Sequence, residues 1–389
     1  MRVAFVLGTT SGGTGRHVRM LVEGLVRRGH QVAVIGPRSV EEQFSYGRAG
    51  ARFAAVAVSD RPDPANDLRT ALAIRRLTRD ADVVHAHGLR AGALAALGRR
   101  GGVLAALGRR GGVLAALGRR GGVLAALGRR GGPRLVVTLH NALTAGGFVG
   151  LVYGVLERIV ARRADHVLVV SPDLGVGMAR LGARDVRAAV VPAPGLRPAA
   201  RTSRQVRDEL GAGDRPVLLT IARLAQQKGL ETLLDVAAGP WPSEQPLFVV
   251  AGDGPLRGEL QSRIQAESLP VMLLGNRDDV PDLLGAAVAL VMPSRWEGQP
   301  LTLREALMSG TPAIASDVGG IPEILGNAGI LVPSGDVEGL RRAVQTLIAP
   351  GAAETLAAAA ARRGREMPGE DDAVESVLDV YGGQDPKDD

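Results

Sequence analysis

The sequence predicts an α/β protein of two doubly wound domains, each a parallel sheet covered by helices on both faces. Three observations lead there. The chain has 389 residues, more than a single core ordinarily organises. Short apolar runs alternate with amphipathic helical stretches, the pattern of a parallel sheet buried on both sides. The stretch 190–198, V-V-P-A-P-G-L-R-P, is a proline-rich linker between one such series and a second. The expected domains are 1–195 and 199–370, with a C-terminal helix at about 371–382 packing back on the first.

Composition excludes several classes. Hydrophobic residues make up 46% and charged residues 22%, as in globular proteins. There are no cysteines, so disulfides, Cys-ligated metals and thiol nucleophiles are out. The apolar run at 1–7 is too short for a signal peptide and enters a glycine loop at Gly8, so it is a first buried strand. No charge-free stretch of about 20 apolar residues exists to span a membrane. A cytoplasmic protein is expected. The net charge is +7, and six of those charges come from the arginines of residues 101–130. The remainder is nearly neutral, so basicity does not argue for nucleic acid. Of 47 basic residues only Lys228 and Lys387 are lysine. That bias suggests a GC-rich coding sequence and marks Lys228, inside the ordered body, for its chemistry.

The first series opens with a strand, the loop Gly8-Thr-Thr-Ser-Gly-Gly-Thr-Gly15, a helix at 16–28 and a strand at 31–35. Val18, Leu21, Val22, Leu25 and Val26 form the helix's apolar face. The glycines let a ligand approach the backbone, yet position 18 is Val and no acid ends the second strand, so the dinucleotide fingerprint is incomplete. A tight structural turn explains the loop equally well. Further strands are expected at 52–58, 82–86, 135–139 and 166–170. His85 and His87 end one of them, in V-V-H-A-H-G, and read as structural histidines without a third metal ligand nearby. His140 ends another, in V-V-T-L-H-N, where active groups of open α/β sheets collect.

A tandem repeat interrupts this domain. Residues 91–100 are an imperfect copy of G-G-V-L-A-A-L-G-R-R, and 101–130 are three perfect ones. Period ten is no solenoid period, and each unit offers only V-L-A-A-L to bury. Removing 101–130 restores an ordinary helix-loop-strand connection. The expected origin of this 91–130 insertion is in-frame duplication, forming frayed helices or disorder. An arm binding anionic membrane through arginines and leucines is the alternative.

In the second series, strands are expected at 217–221, 247–251, 271–275 and 288–292, with one more before Asp317. The loop after the first carries Arg223 and Lys228-Gly229, a guanidinium and a point cation suited to a diphosphate; solvated surface cations are the plain alternative. Residues 295–310 read R-W-E-G-Q-P-L-T-L-R-E-A-L-M-S-G, with Glu297 and Glu305 eight positions apart. Glu297 falls in a strand-to-helix loop. Glu305 falls about two turns into a helix whose Leu301, Leu303, Ala306 and Leu307 are apolar and which stops at Gly310. Free N–H groups at that helix start can hold an anion. A surface Glu followed by a helix Glu is the plain reading.

These elements stand in one order: Gly12-Gly13, His140, R-L-A-Q-Q-K-G, A-G-D-G-P-L, G-N-R-D-D-V, P-S-R-W-E-G-Q-P-L-T-L-R-E-A-L and S-D-V-G-G-I-P-E. Together they resemble the retaining glycosyltransferases of family 4. The resemblance covers nearly all of the chain except the repeat and the C-terminal tail. It implies the GT-B fold, two Rossmann-like domains facing each other across a cleft. It implies that Arg223 and Lys228 hold a donor diphosphate, and that Glu297 binds the transferred sugar, helped by Gly298, Gln299 and Leu301. Glu305 would bind the ribose, Asn276 and Arg277 would lie beside the base, and His140 near the sugar. Gly12 and Gly13 would approach phosphate or acceptor. Pro300 replaces the Gly common in the family and has no N–H to donate. The linker lacks the Asn common before Gly195.

The implied activity is metal-independent transfer of a sugar from a nucleotide-sugar to an acceptor hydroxyl of a cell-envelope lipid, polysaccharide or small molecule. No cofactor and no metal are expected: Asp60 and Asp63 sit in a proline-rich loop without metal-binding context. The rivals are a GT-B-like nucleotide-sugar 2-epimerase and a non-catalytic scaffold. The repeat adds the expectation of peripheral contact with the inner membrane face.

Overall fold

The computed structural model describes residues 1–10, 12–58, 64–99, 132–141, 147–192, 195–241 and 245–382. The perfect repeat copies and the expectation of frayed helices there lie outside the described residues. So do Asp60 and Asp63. The chain divides into two compact units, Met1–Val191 with Glu370–Asp389, and Pro192–Gly369.

The first unit holds seven strands: β1 (Arg2–Leu7), β2 (Gln31–Gly36), β3 (Arg52–Ala55), β4 (Val83–His87), β5 (Arg134–Leu139), β6 (His166–Val169) and β7 (Val186–Ala188). They lie in the order β3-β2-β1-β4-β5-β6-β7, parallel throughout. The order reverses between β1 and β4, so loops leaving these two strands at their carboxyl ends splay apart and open a crevice. Continuous apolar runs make the central strands, and all five residues of β4 are buried, both histidines included. β3 ends at Ala55, three residues before the expected end.

Helix Gly13–Arg27 starts earlier than its periodicity indicates. Gly12, at φ 61°, turns the chain directly out of the loop, and Arg16 N already donates to Gly12 O at 3.2 Å. Gly15 is a packing glycine, since a Cβ there would stand 2.2 Å from the Phe44 ring. Helix Glu370–Gly382 belongs to this unit. Val374 fills the space over Gly24, and Arg134 Nη1 donates to Tyr381 O at 2.7 Å.

The first repeat copy corrects the expected insertion boundary. Residues 91–98 lie in helix Leu89–Gly98, where Ala93, Leu94, Ala95 and Ala96 are all buried. A Cβ on Gly92 would come within 2.6 Å of Val137, and one on Gly98 within 2.6 Å of the Ala71 carbonyl. Arg99 pairs with Asp165 at 3.0 Å and donates to the Pro133 carbonyl at 3.1 Å. This copy is an integral helix of the sheet's cover.

The second unit repeats the plan with β8 (Val217–Ile221), β9 (Leu247–Ala251), β10 (Val271–Gly275), β11 (Ala289–Met292), β12 (Ala313–Ser316) and β13 (Gly329–Val332). Their order is β10-β9-β8-β11-β12-β13, again parallel. Alternate residues feed opposite cores: Leu219, Val249 and Leu290 pack on one face, Leu218, Phe248 and Val291 on the other. Both faces are therefore dry, as strand periodicity requires of a sheet covered twice. The order reverses between β8 and β11.

Candidate active site

Glu297 sits at that second reversal. The loop after β8 makes a short 3₁₀ turn, Gln226–Lys228, and leaves it through Gly229 at φ 61°. A Cβ on Gly229 would stand 2.1 Å from the Pro293 carbonyl. Only glycine lets the backbones after β8 and β11 approach so closely. Arg295 N donates to Gln227 O at 2.8 Å, and Gln227 Nε2 donates to Trp296 O at 2.9 Å. From the other side Gly320 N donates to Glu297 O at 3.0 Å, and Gly319 has no room for a Cβ against that oxygen.

These stitches bring together residues 69 positions apart. Lys228 Nζ donates to Glu297 Oε1 at 2.6 Å, and Ser294 Oγ donates to the same oxygen at 2.7 Å. Glu297 is only 5% exposed. Both hydrogen bonds fall on Oε1, and Oε2 takes part in neither. A buried ion pair gives little net stability over apolar residues of the same volume, because both charges lose their water. Its place at a crevice of this kind argues for chemistry.

The other expected site residues of this unit are distributed around the pair. Arg223 and Asn276 are exposed. Gly298 is buried, Leu301 opens helix Leu301–Met308, and Pro300 caps it at φ −67°. Glu305 is half-buried in the second turn. Arg277 is committed elsewhere: its guanidinium bonds Asp279 at 2.7 Å and Glu209 at 3.0 Å, in a network that also takes in Arg201 and Asp282. Those hydrogen bonds raise the Arg277 pKa and lower those of Glu209 and Asp279. Gln299 Oε1 accepts from Arg304 Nη2 at 2.8 Å. Arg304 was not singled out by sequence. It is 6% exposed, and burial pushes its pKa down to about 10. The only signal for it was a charged residue between two inward-facing helix positions, Leu303 and Leu307.

The first unit carries a different cluster at its own reversal. Gly12 and Gly13 lie where the loop after β1 enters the helix, His17 sits one turn further, His87 ends β4, and His140 follows β5. His87 Nδ1 and His140 Nε2 are 2.9 Å apart. His17 packs edge-on against both rings, at 5.9 and 6.0 Å. His85 is fully matched, its Nδ1 to Tyr381 Oη at 2.6 Å and its Nε2 to Thr138 Oγ1 at 2.7 Å. Burial lowers every one of these pKa values: His17 to about 3, His140 to about 4, His85 and His87 well below the ordinary value, with neighbouring histidines adding to it for all but His140. The cluster is therefore neutral at physiological pH. Among the described residues no group of three or more His, Cys, Asp or Glu is placed to hold a metal, and no helix is long and apolar enough to cross a membrane.

With this geometry in view, comparison with known proteins points one way. Residues 215–350 match the family described as "Glycosyl transferases group 1". Residues 12–121 and 105–194 match the "Glycosyl transferase 4-like domain". The chain is 31% identical over 151 residues to the alpha-D-kanosaminyltransferase of Streptomyces kanamyceticus, a stretch covering 37% of this chain and 39% of that one. It is 32% identical over 203 residues to the 2-deoxystreptamine N-acetyl-D-glucosaminyltransferase of Streptomyces fradiae, covering 48% of each. The chain thus spans less than half the length of these curated relatives. In fold it is similar to Anabaena HepE, solved in complex with UDP, at a TM-score of 0.77 and 18% identity, over 99% of this chain and 100% of that one.

Proposed function

We propose, from the premise that this chain belongs to the family-4-like GT-B glycosyltransferases, that it moves a sugar from a nucleoside-diphosphate sugar to an acceptor hydroxyl with retention of configuration. The observation that carries this is the buried Glu297 carboxylate, gripped through one oxygen by Lys228 and Ser294 at the β8/β11 reversal. The names of the two relatives, both sugar transferases, and the UDP bound to HepE support a UDP-sugar as the donor to try first.

The chemistry follows from charge. Breaking the bond between sugar C1 and the diphosphate leaves positive charge on the sugar and negative charge on the leaving group. Lys228 and Arg223 are the cations assigned to that leaving group, by preorganised electrostatics rather than a divalent metal. Glu297 is assigned to a sugar hydroxyl and Glu305 to the ribose. His140 is assigned to the sugar. The acceptor oxygen bonds C1 on the face the phosphate leaves, and the acceptor's proton goes to the departing phosphate oxygen, so no enzymic nucleophile takes part.

The test is a panel of UDP-sugars in EDTA, read by thermal shift and by UDP release with and without candidate acceptors. A ligand at 100 times its Kd adds about 2.7 kcal/mol to stability. A nucleotide-sugar that stabilises the protein and is turned over in EDTA is the expected result. Turnover lost in EDTA and restored by manganese removes the metal-free scheme, and donor consumed to a 2-epimer without acceptor replaces transfer by epimerisation.

A further inference from the structure

His87 and His140 share one hydrogen bond, and the rest of His87 decides which ring donates. The rings lie 20° from parallel with His87 Nδ1 2.9 Å from His140 Nε2. Both are neutral, so the bond holds a single proton: one imidazole donates and the other accepts. His87 is 3% exposed, and its second nitrogen, Nε2, has no partner among the described residues. Were His87 to accept at Nδ1, its own proton would sit on Nε2 as a buried N–H with nothing to receive it. Were it to donate from Nδ1, Nε2 would be a bare lone pair. In backbones orphaned buried N–H groups are rarer than under-satisfied carbonyls, and by extension to the imidazole the second arrangement is favoured. His85, two residues back on the same face of β4, shows the contrast, with both nitrogens matched.

We infer that His87 is a positioning residue: donating from Nδ1 to His140 Nε2, it holds His140 with its proton on Nδ1, so that His140 offers its ligand an N–H donor and not a lone pair. The consequence rests on the reading above, in which His140 serves the transferred sugar. His140 then donates to an oxygen of that sugar. It cannot be the base that takes the acceptor's proton, which leaves that proton to the departing phosphate. Nothing about His87 in the sequence separates this role from a structural one, because its partner lies 53 positions away, just past the neighbouring strand.

Hydrogen positions are read directly from nitrogen-15 spectra of the full-length protein with labelled histidine, at pH 7.5 and without ligand, His140 being assigned through H140Q. The expected spectrum shows His140 protonated at Nδ1 and bare at Nε2. In His87→Asn the side-chain amide can turn its N–H to where Nδ1 stood, so the tautomer is not forced to reverse. In His87→Asp the carboxylate accepts only, and the proton moves to His140 Nε2. A wild-type His140 protonated at Nε2 overturns the inference without any variant, and so does an unreversed tautomer in folded H87D. UDP release from UDP-glucose supplies the separate arm. H87D is expected to lose roughly 10–100-fold, by analogy with the cost of removing a residue that orients a metal-ligating histidine, while H87N stays near wild type. A reversed tautomer with unchanged turnover leaves the tautomer assignment standing and removes His140 from the sugar's neighbourhood.

Discussion

The two units share a topology and furnish it with opposite chemistry. Each is a parallel sheet whose strand order reverses once, between β1 and β4 in one and between β8 and β11 in the other. At the first reversal stand neutral, buried histidines; at the second stands a buried ion pair, Lys228 with Glu297. The division runs through the whole composition: all six histidines lie in the first unit and none in the second. A parallel sheet that reverses its order creates a crevice whatever its residues. What the crevice can do depends on a few side chains at strand ends, and one chain has filled two such places with different chemistry. Uncharged groups can orient hydroxyls without competing for a proton, while charges can take hold of a diphosphate.

The comparison breaks most sharply at Glu297. Glu297→Gln keeps the shape and removes the charge-assisted bond proposed to a sugar hydroxyl, about 1.5–3 kcal/mol. Turnover is expected to fall on the order of 100-fold with the fold intact by circular dichroism. His140→Gln, in the neutral cluster, is expected to cost less. Wild-type rates in E297Q would remove the charged reversal from the reaction.

Lys228 sharpens the contrast next. Lys228→Ala leaves a carboxylate buried without its cation, so it costs stability as well as ligand binding, roughly 3–5 kcal/mol for a fully buried pair and less here, where the lysine side chain is 24% exposed. The double variant K228A/E297Q removes the stranded charge and is expected to regain most of that stability while staying inactive. Calorimetry should show UDP binding weakened more than uridine binding in K228A. Equal losses for both ligands would confine Lys228 to the ion pair.

How much of this contrast was legible in sequence depends on distance along the chain. The α/β class was legible because apolar runs such as 3–7 and 247–251 have no other stable home than a doubly covered sheet. β7 was not read, because three residues, V-R-A, with one charge carry no period. The start of the first helix was missed because the backbone turn at Gly12, not side-chain periodicity, sets it. Positions 228 and 297 stood out separately, one as a lone lysine and the other by its E-x7-E spacing. Their contact was invisible, since it arises from Gly229 letting two loops touch. Arg277 is expected beside the base by resemblance, and the acids that hold it, Glu209 and Asp279, show as its partners only in the structure. His87 looked like His85, and only the third dimension distinguishes a matched imidazole from one with an orphaned nitrogen.

Acid should separate the two units. The folded pKa values of His17 and His140, about 3 and about 4, lie below the unfolded value of 6.5. Their contribution to stability is therefore complete above pH 6.5. It is lost as pH falls from there toward 4, because the unfolded chain binds the protons the folded one refuses, by up to about 1.4 kcal/mol per pH unit for each histidine. In the second unit the lowered pKa values of Glu209, Asp279 and Asp282 act in the same direction but in a more acidic window. Their stabilisation is complete above the ordinary carboxylate range and is lost as pH falls from there through the depressed values. Both tryptophans, Trp241 and Trp296, lie in the second unit, and all three tyrosines in the first. Tyrosine near-ultraviolet dichroism is expected to fade at a higher pH than tryptophan emission shifts. Tryptophan responding first would invert the assignment.

The smallest effect is expected from the one feature that has no counterpart in the second unit. Deleting residues 101–130 should leave melting temperature and turnover nearly unchanged. The three copies are identical, which packed neighbours seldom permit, because each would face different surroundings. Helix Leu89–Gly98 shows what one copy needs in order to pack. Gly92 and Gly98 clear Val137 and the Ala71 carbonyl, and Arg99 reaches Asp165 and Pro133. That place is filled once, by the imperfect copy, whose Ala93 is fully buried where the others carry Val. A perfect copy has V-L-A-A-L to set against about 1–2 kcal/mol per residue of backbone entropy over ten residues. Joining Arg100 to Gly131 restores a connection of ordinary length between that helix and β5. A paired measurement of melting and initial rate checks this, with co-sedimentation on vesicles of anionic lipid beside it. One kcal/mol shifts a domain of 150–250 residues by about 2–4 °C. A fall of more than about 8 °C on deletion would mean that the copies pack against the first unit after all. Loss of vesicle binding alone would make them a membrane arm.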